Sequence, residues 1–229
     1  MSFLPSRPIA LGLLALALSG GCGDKEGPPD FPDPDVVGTE TSPDGDPYPT
    51  DNLGGRPRQG TRRGDRIANY TFQAYRDGDR SKGLTPLSLA EYYDPKMKRH
   101  KILHLQVAAT WCAICSSELE ATVTVAEPLK ERGVVFLEVI VSGPTAGKGP
   151  ALEEVDEWIT RHKTNFSTAI DVRARRLGVI GVDPGAMPHD ILIDTRTMEI
   201  LDSSIGAPLD VVKYVSEGLD FVKNNPPSY

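Results

Sequence analysis

The chain has 229 residues, enough for one ordinary domain plus additional segments, and its 39% apolar content can fill a core in part of it. Its formal net charge is −7, and its Lys and Arg residues are not gathered into basic stretches interleaved with aromatics. That pattern excludes the electrostatic footprint of a nucleic-acid-binding surface.

At the N-terminus, Arg7 precedes an unbroken apolar stretch from Ile9 to Leu18, followed by Ser19-Gly20-Gly21-Cys22. This is the order of a secretory signal, and about ten apolar residues fall short of the roughly 20 that a membrane-crossing helix needs. Ser19 to Cys22 also resembles the lipobox of bacterial lipoproteins, with Ser19 where that pattern usually has Leu. The resemblance implies a lipoprotein signal peptide over residues 1–21 and a lipid on Cys22, which would become the membrane anchor. Gly23, rather than Asp, after the cysteine favours the outer membrane over the inner by the sorting pattern of enteric bacteria. A cleaved soluble signal followed by an unmodified cysteine is the alternative.

Residues 22–66 are rich in Pro, Gly and Asp and poor in large apolar side chains, as in Pro28-Pro29-Asp30-Phe31-Pro32-Asp33-Pro34-Asp35. Such a composition predicts a disordered tether. It ends in a basic run, Arg56, Arg58, Arg62, Arg63 and Arg66, expected to be solvated.

A single folded domain is predicted over residues 67–229. It opens with an extended piece at Tyr70 to Tyr75 and a turn at Asp77-Gly78. The apolar run Ile102 to Ala109 predicts a buried strand, and Ser116 to Arg132 has helical spacing closed by Gly133. Val134 to Val141 predicts a strand, Leu152 to His162 an amphipathic helix, Ala169 to Val172 a short strand, and Arg173 to Leu177 one or two helical turns. Ile191 to Ile193 and Glu199 to Asp202 flank a turn at Asp194-Thr195-Arg196 as a hairpin, and Leu209 to Val222 predicts a last helix. The resulting β-α-β-α-β-β-α order points to an α/β sheet with helices on its faces.

Trp111-Cys112-Ala113-Ile114-Cys115 falls where the first core strand gives way to a helix. A helix N-terminus offers unsatisfied N–H groups and positive dipole charge, which stabilise a thiolate. The thiolate is the nucleophile of disulfide exchange, so Cys112 is placed to attack and Cys115, one turn inward, to resolve the mixed disulfide. Half of a zinc site is a competing reading, but no second Cys-x-x-Cys exists, and His100, His104, His162 and His189 are scattered. A purely structural disulfide is another, weakened because so short a loop restrains the unfolded chain little.

Ile102 to Cys115, "ILHLQVAATWCAIC", resembles the thioredoxin superfamily, and more narrowly its membrane-tethered thiol-disulfide reductase and redoxin branch. A second stretch, Gly185-Ala186-Met187-Pro188-His189-Asp190-Ile191-Leu192-Ile193-Asp194, is similar to the family segment in which a cis-proline faces the disulfide. The resemblance covers Tyr70 to the C-terminus. It implies a thioredoxin-like α/β fold, with a central mixed sheet flanked by helices and a short N-terminal β extension. It implies substrate-binding positions at Trp111, Met187 and Pro188, and it aligns Glu118 with a glutamate that the tethered reductases use near their active site. Glu118 shares a helical face with Cys115, which makes it the candidate proton-transfer group; an ordinary solvated glutamate is the alternative.

Two departures bear on direction. Gln106 stands where cytoplasmic thioredoxins carry a buried aspartate, and Ala113-Ile114 lacks the histidine of strong oxidases. The first removes that proton acceptor, and the second disfavours a strong oxidant, which leaves a reductase or isomerase-type donor as the expected direction. The resemblance then implies a protein disulfide as substrate, a membrane thiol carrier as electron donor, and no cofactor or metal. His104 shares the strand face of Gln106 and is expected to be a hydrogen-bonded core histidine. Two other activities compete. A thiol peroxidase is opposed by Ala109, which stands where peroxiredoxins have Thr or Ser. A Cu(I)-binding chaperone would use His189 beside the cysteines, although such relatives separate the two cysteines by three residues.

Overall fold

The computed structural model of the chain describes residues 29–50 and 63–227. The expected signal peptide, Cys22, and Arg56, Arg58 and Arg62 of the basic run lie outside the described residues.

Seven strands form one mixed sheet: β1 (Thr71–Tyr75), β2 (Thr85–Ser88), β3 (Ile102–Ala109), β4 (Val134–Ser142), β5 (Ser167–Ile170), β6 (His189–Asp194) and β7 (Glu199–Ile205). Their spatial order is β2-β1-β5-β4-β3-β6-β7. β3, β4 and β5 run parallel, whereas β6 is antiparallel to both β3 and β7. All eight residues of β3 are buried, as expected of an aliphatic run at the centre of a sheet covered on both faces. The expected N-terminal β extension is the hairpin of β1 and β2, which joins the sheet through β1 and β5. β2 was not anticipated. It is four residues long and contains Pro86, which a sheet tolerates on an edge strand.

Three helices complete the domain: α1 (Ala113–Glu131), α2 (Leu152–His162) and α3 (Val211–Asn224). All three lie on one face of the sheet. Strand alternation and register put His104, Gln106, Phe136, Glu138 and Asp190 on that face. There Gln106 meets α1, Glu138 accepts a hydrogen bond from Trp158 of α2, and Tyr214 of α3 packs against His104. The handedness of the crossovers explains this arrangement. β3-α1-β4 and β4-α2-β5 step across the sheet in the same direction, so right-handed connections put both helices on the same side. α3 comes close to the sheet because Gly218 faces it: a Cβ there would lie 2.5 Å from Leu192.

Local chemistry shifts several boundaries from those predicted. α1 begins at Ala113, because Cys112 itself is the N-cap and accepts the Cys115 N–H. It ends at Glu131 with Arg132 as its C-cap, and Gly133 follows with a φ of +95°, which suits the residue after a helix. α3 begins after Asp210, whose carboxylate accepts the Lys213 N–H, so Leu209 is left exposed. β5 starts two residues earlier than expected.

The largest difference concerns the tether. Residues 29–50 do not form the disordered segment that their composition predicts; they pack as a strap against the domain. The Phe31 N–H donates to the Pro150 carbonyl, and the buried Tyr48 hydroxyl donates to the Ile67 carbonyl at 2.7 Å. Asp33 is 5% exposed and meets Arg176, while Asp44 pairs with Lys98 and Arg99 and Asp46 with Lys96. The acidic character that reads as disorder is therefore complementary charge for the domain surface. The basic end is also engaged: Arg63 donates to the Leu201 carbonyl, and Arg66 is buried and donates to the Thr197 carbonyl.

Arg176 bridges Asp33 of the strap and Asp171 of the domain, at 2.7 and 3.4 Å. Arg176→Ala leaves the buried Asp171 without its cation and Asp33 with Arg175 alone, 3.3 Å away, and is expected to cost about 3 kcal/mol. It should also expose the strap to limited proteolysis. An unchanged denaturant midpoint with an intact strap would mean that the apolar contacts of Phe31 and Tyr48 suffice.

Candidate functional site

β3 ends at Ala109, and the chain turns through Thr110 and Trp111 into α1, which places the cysteines over the C-terminal edge of the central strand. Cys112 and Cys115 are disulfide-bonded, with Cα atoms 5.3 Å apart. They are 3% and 2% exposed, so burial does not distinguish them. Position in the helix does. Cys112 Sγ lies 3.0 Å from the Cys115 N–H that donates to it, at the positive end of a 19-residue helix.

Trp111 is half-buried, and its indole Nε1–H donates to Ser142 Oγ at the end of β4. The Met187-Pro188 peptide bond is cis, as the resemblance implied. Val107 pairs with His189, so the register carries Pro188 to the end of the sheet where β3 delivers the disulfide. Met187 is 8% exposed, more core than groove. His189 directs Nε2 to Ser203 Oγ at 2.9 Å. His162 links α1 and α2 through Ser116 Oγ and Glu120.

Glu118 is buried, not solvated. Its Oε1 accepts from Gln106 Nε2 at 2.9 Å, and the same amide nitrogen donates to Thr122 Oγ1. Burial pushes the Glu118 pKa up to about 8, and the nearby Asp190 carboxylate pushes in the same direction. Asp190, 1% exposed, is raised to about 7 by burial. His104 is wholly buried, which lowers its pKa to about 4 and leaves it neutral at neutral pH. Its Nε2 lies 2.7 Å from Asp190 Oδ1. On β4, Glu138 is likewise pushed up to about 8 by burial, while accepting from Trp158 and Thr168.

The structure thus brings Glu118, on the helix that bears the cysteines, together with Gln106 of β3, and sets Trp111 and Pro188 at the same end of the sheet. The sequence reading missed Asp190 and Glu138 and gave His104 no part. The available signal was alternation: His104 and Gln106 share a face, and any polar residue aligned with them on β4 or β6 must share it too.

No family model matches the sequence, and no curated protein does. Solved structures are similar in shape. A Chlorobium tepidum protein proposed to be the thiol:disulfide interchange protein DsbE superposes with a TM-score of 0.54 at 16% identity, over 71% of this chain and 99% of that one. The thioredoxin domain of a Bacteroides vulgatus thiol-disulfide oxidoreductase gives 0.51 at 16% identity, over 69% and 98%. Enterococcus faecalis AhpC gives 0.54 at 14% identity, over 73% and 96%. The chain has a thioredoxin-like fold, carrying a disulfide at Cys-x-x-Cys spacing at the head of α1. Among the described residues, no helix is long and apolar enough to cross a membrane.

Proposed function

We propose that the protein is an extracytoplasmic thiol-disulfide oxidoreductase that reduces disulfides in other proteins. The observation that carries this reading is the Cys112–Cys115 disulfide with Cys112 as the N-cap of α1, where a thiolate inherits the hydrogen bond from the Cys115 N–H. In the reduced protein, the Cys112 thiolate attacks a client disulfide, forming a mixed disulfide and releasing one client thiolate, which takes up a proton. Cys115 gives its proton to Glu118 and attacks Cys112 Sγ, releasing the second client thiolate and restoring the Cys112–Cys115 disulfide. Trp111, Pro188 and the backbone, not the buried side chain, of Met187 line the docking position of the client. A membrane thiol carrier recharges the pair, and a lipid on Cys22 holds the chain at the envelope, with the outer membrane favoured. The thioredoxin-like neighbours, one of them a pneumococcal exposed lipoprotein thioredoxin with a TM-score of 0.50 and 19% identity, support the reading through shape alone.

The test is the reduction potential of the pair in the full chain carrying Cys22→Ser, titrated against glutathione with thiol trapping. A value near thioredoxin's, about −270 mV, is expected, whereas one near −120 mV would make the protein an oxidase. Ala113 and Ile114 place no imidazolium beside the thiolate, which is the physical basis for the lower value.

A further inference from the structure

The buried carboxylic acid on β6 has no part in the exchange scheme above. We infer that Asp190, held in place by His104, forms with Glu118 a proton-sharing pair that receives the proton leaving Cys115. This rests on the exchange chemistry proposed for the cysteines and deepens it.

The register of the sheet builds the pair. Gln106 of β3 is aligned with Asp190 of β6, and its amide hydrogen-bonds Glu118 of α1. One oxygen from each carboxyl and a ring nitrogen of His104 all lie within 4.8 Å of one another. Two carboxylates this close and this deeply buried repel each other strongly if both are ionised, which favours a state in which one of them carries a proton. The hydrogen-bond inventory agrees. Asp190 Oδ1 is satisfied by His104, Glu118 Oε1 by Gln106, and the buried Asp190 Oδ2 is left without a hydrogen-bond partner. A proton held between the two acids supplies the missing bond. His104 Nε2 is already committed to Asp190, so the trio is a hydrogen-bonded group rather than a set of convergent metal ligands.

The surroundings keep the charge low. His104 on β3 is fixed between the rings of Phe136 and Tyr214, at 5.6 and 5.2 Å, and is neutral. β4 contributes Glu138, β7 contributes Asp202, and α3 contributes Tyr214, whose hydroxyl lies 3.1 Å from Asp202 Oδ2. None of these groups is a cation at neutral pH, and Arg63, which pairs with Asp202 at 3.6 Å, is exposed, so a second negative charge in the pair finds no buried cation to neutralise it. One shared proton is the stable state. The remaining basic site accepts a second proton when Cys115 ionises, and the pair returns it to solvent after the disulfide has closed.

Asp190 touches neither sulfur and acts by positioning, so its test reads proton uptake rather than folding. In the full chain with Cys22→Ser, the pH dependence of the equilibrium with glutathione gives the protons taken up per disulfide reduced. An inflection between neutral and mildly alkaline pH is expected. Glu118→Gln should remove it, and Asp190→Asn, which keeps an acceptor for His104, should move it down by about one pH unit or more as the neighbouring acid is lost. An unmoved inflection in Asp190→Asn with a lost one in Glu118→Gln overturns the pair and leaves Glu118 acting alone. Profiles unchanged in both variants overturn the pair together with the role of Glu118. Failure of the wild-type cysteines to equilibrate with glutathione at any pH instead overturns the parent reading. Infrared difference spectra of the wild-type protein, reduced minus oxidised, provide a readout that needs no variant. A carboxylic-acid C=O band that shifts on reduction is expected, and its absence at neutral pH overturns the pair.

Discussion

A Cys115→Ser protein mixed with a disulfide-bearing client is expected to accumulate a one-to-one covalent adduct through Cys112, visible on a non-reducing gel and by intact mass. Resolution requires a second thiol one turn inward from the first, and serine cannot attack the mixed disulfide. Cys112→Ser should form no adduct and lower client reduction to the uncatalysed background. The asymmetry follows from the helix. Cys112 is the cap that accepts the Cys115 N–H, whereas Cys115 lies inside the first turn. Adduct formation by the Cys112→Ser protein, trapped on Cys115, would reverse the assigned roles, because equal burial of the two sulfurs offers no independent protection of either.

Glu138→Gln is expected to stabilise the domain, and only at high pH. Glu138 is 1% exposed in the centre of the sheet, and burial raises its pKa from 4.5 to about 8. Below pH 4.5 the group is protonated in both folded and unfolded chains and does not bear on stability. As pH rises above that value, the unfolded chain ionises while the folded one holds its proton, so stability falls, and the full penalty is reached above about pH 8. A glutamine retains an acceptor for Trp158 and cannot ionise. The difference in unfolding free energy between variant and wild type should be near zero around pH 4.5, and grow to on the order of 3–5 kcal/mol near pH 9. A difference independent of pH would show that Glu138 is solvated or charged in the folded protein. The Glu118 and Asp190 pair adds a decline of the same sign to both proteins, so the difference curve, not the wild-type curve, isolates Glu138.

How much of this was legible beforehand depends on the range of the interactions involved. The Cys-x-x-Cys motif at a strand-to-helix junction and the position of Glu118 one turn after Cys115 are local patterns that the sequence carries, whereas the cis bond before Pro188 was implied by the family resemblance alone, since an isolated X-Pro bond favours trans. β2 escaped because four residues that include Pro86 show no strand periodicity; its pairing with β1 makes it a strand. Asp190 escaped for a related reason. Its partners His104 and Glu118 lie 86 and 72 positions away, and only the β3–β6 register brings them together. The strap was misread because its composition is that of a disordered segment. What orders it is charge complementarity with Arg173, Arg175 and Arg176, about 140 positions downstream, which no windowed measure can register.

The strap also changes the mechanical picture of a lipid-held protein. A tether running from residue 22 to residue 66 would let the catalytic head roam far from its bilayer. With Asp30 already bound to Arg173, only seven residues, eight Cα-to-Cα steps, lie between Cys22 and the first fixed point on the domain. At about 3.5 Å per residue, a leash of that length reaches no more than about 28 Å, comparable to the width of a small domain. On the proposed anchoring, the disulfide therefore works within a thin layer next to the lipid, and the geometry selects clients that are themselves membrane-bound or that come to that surface.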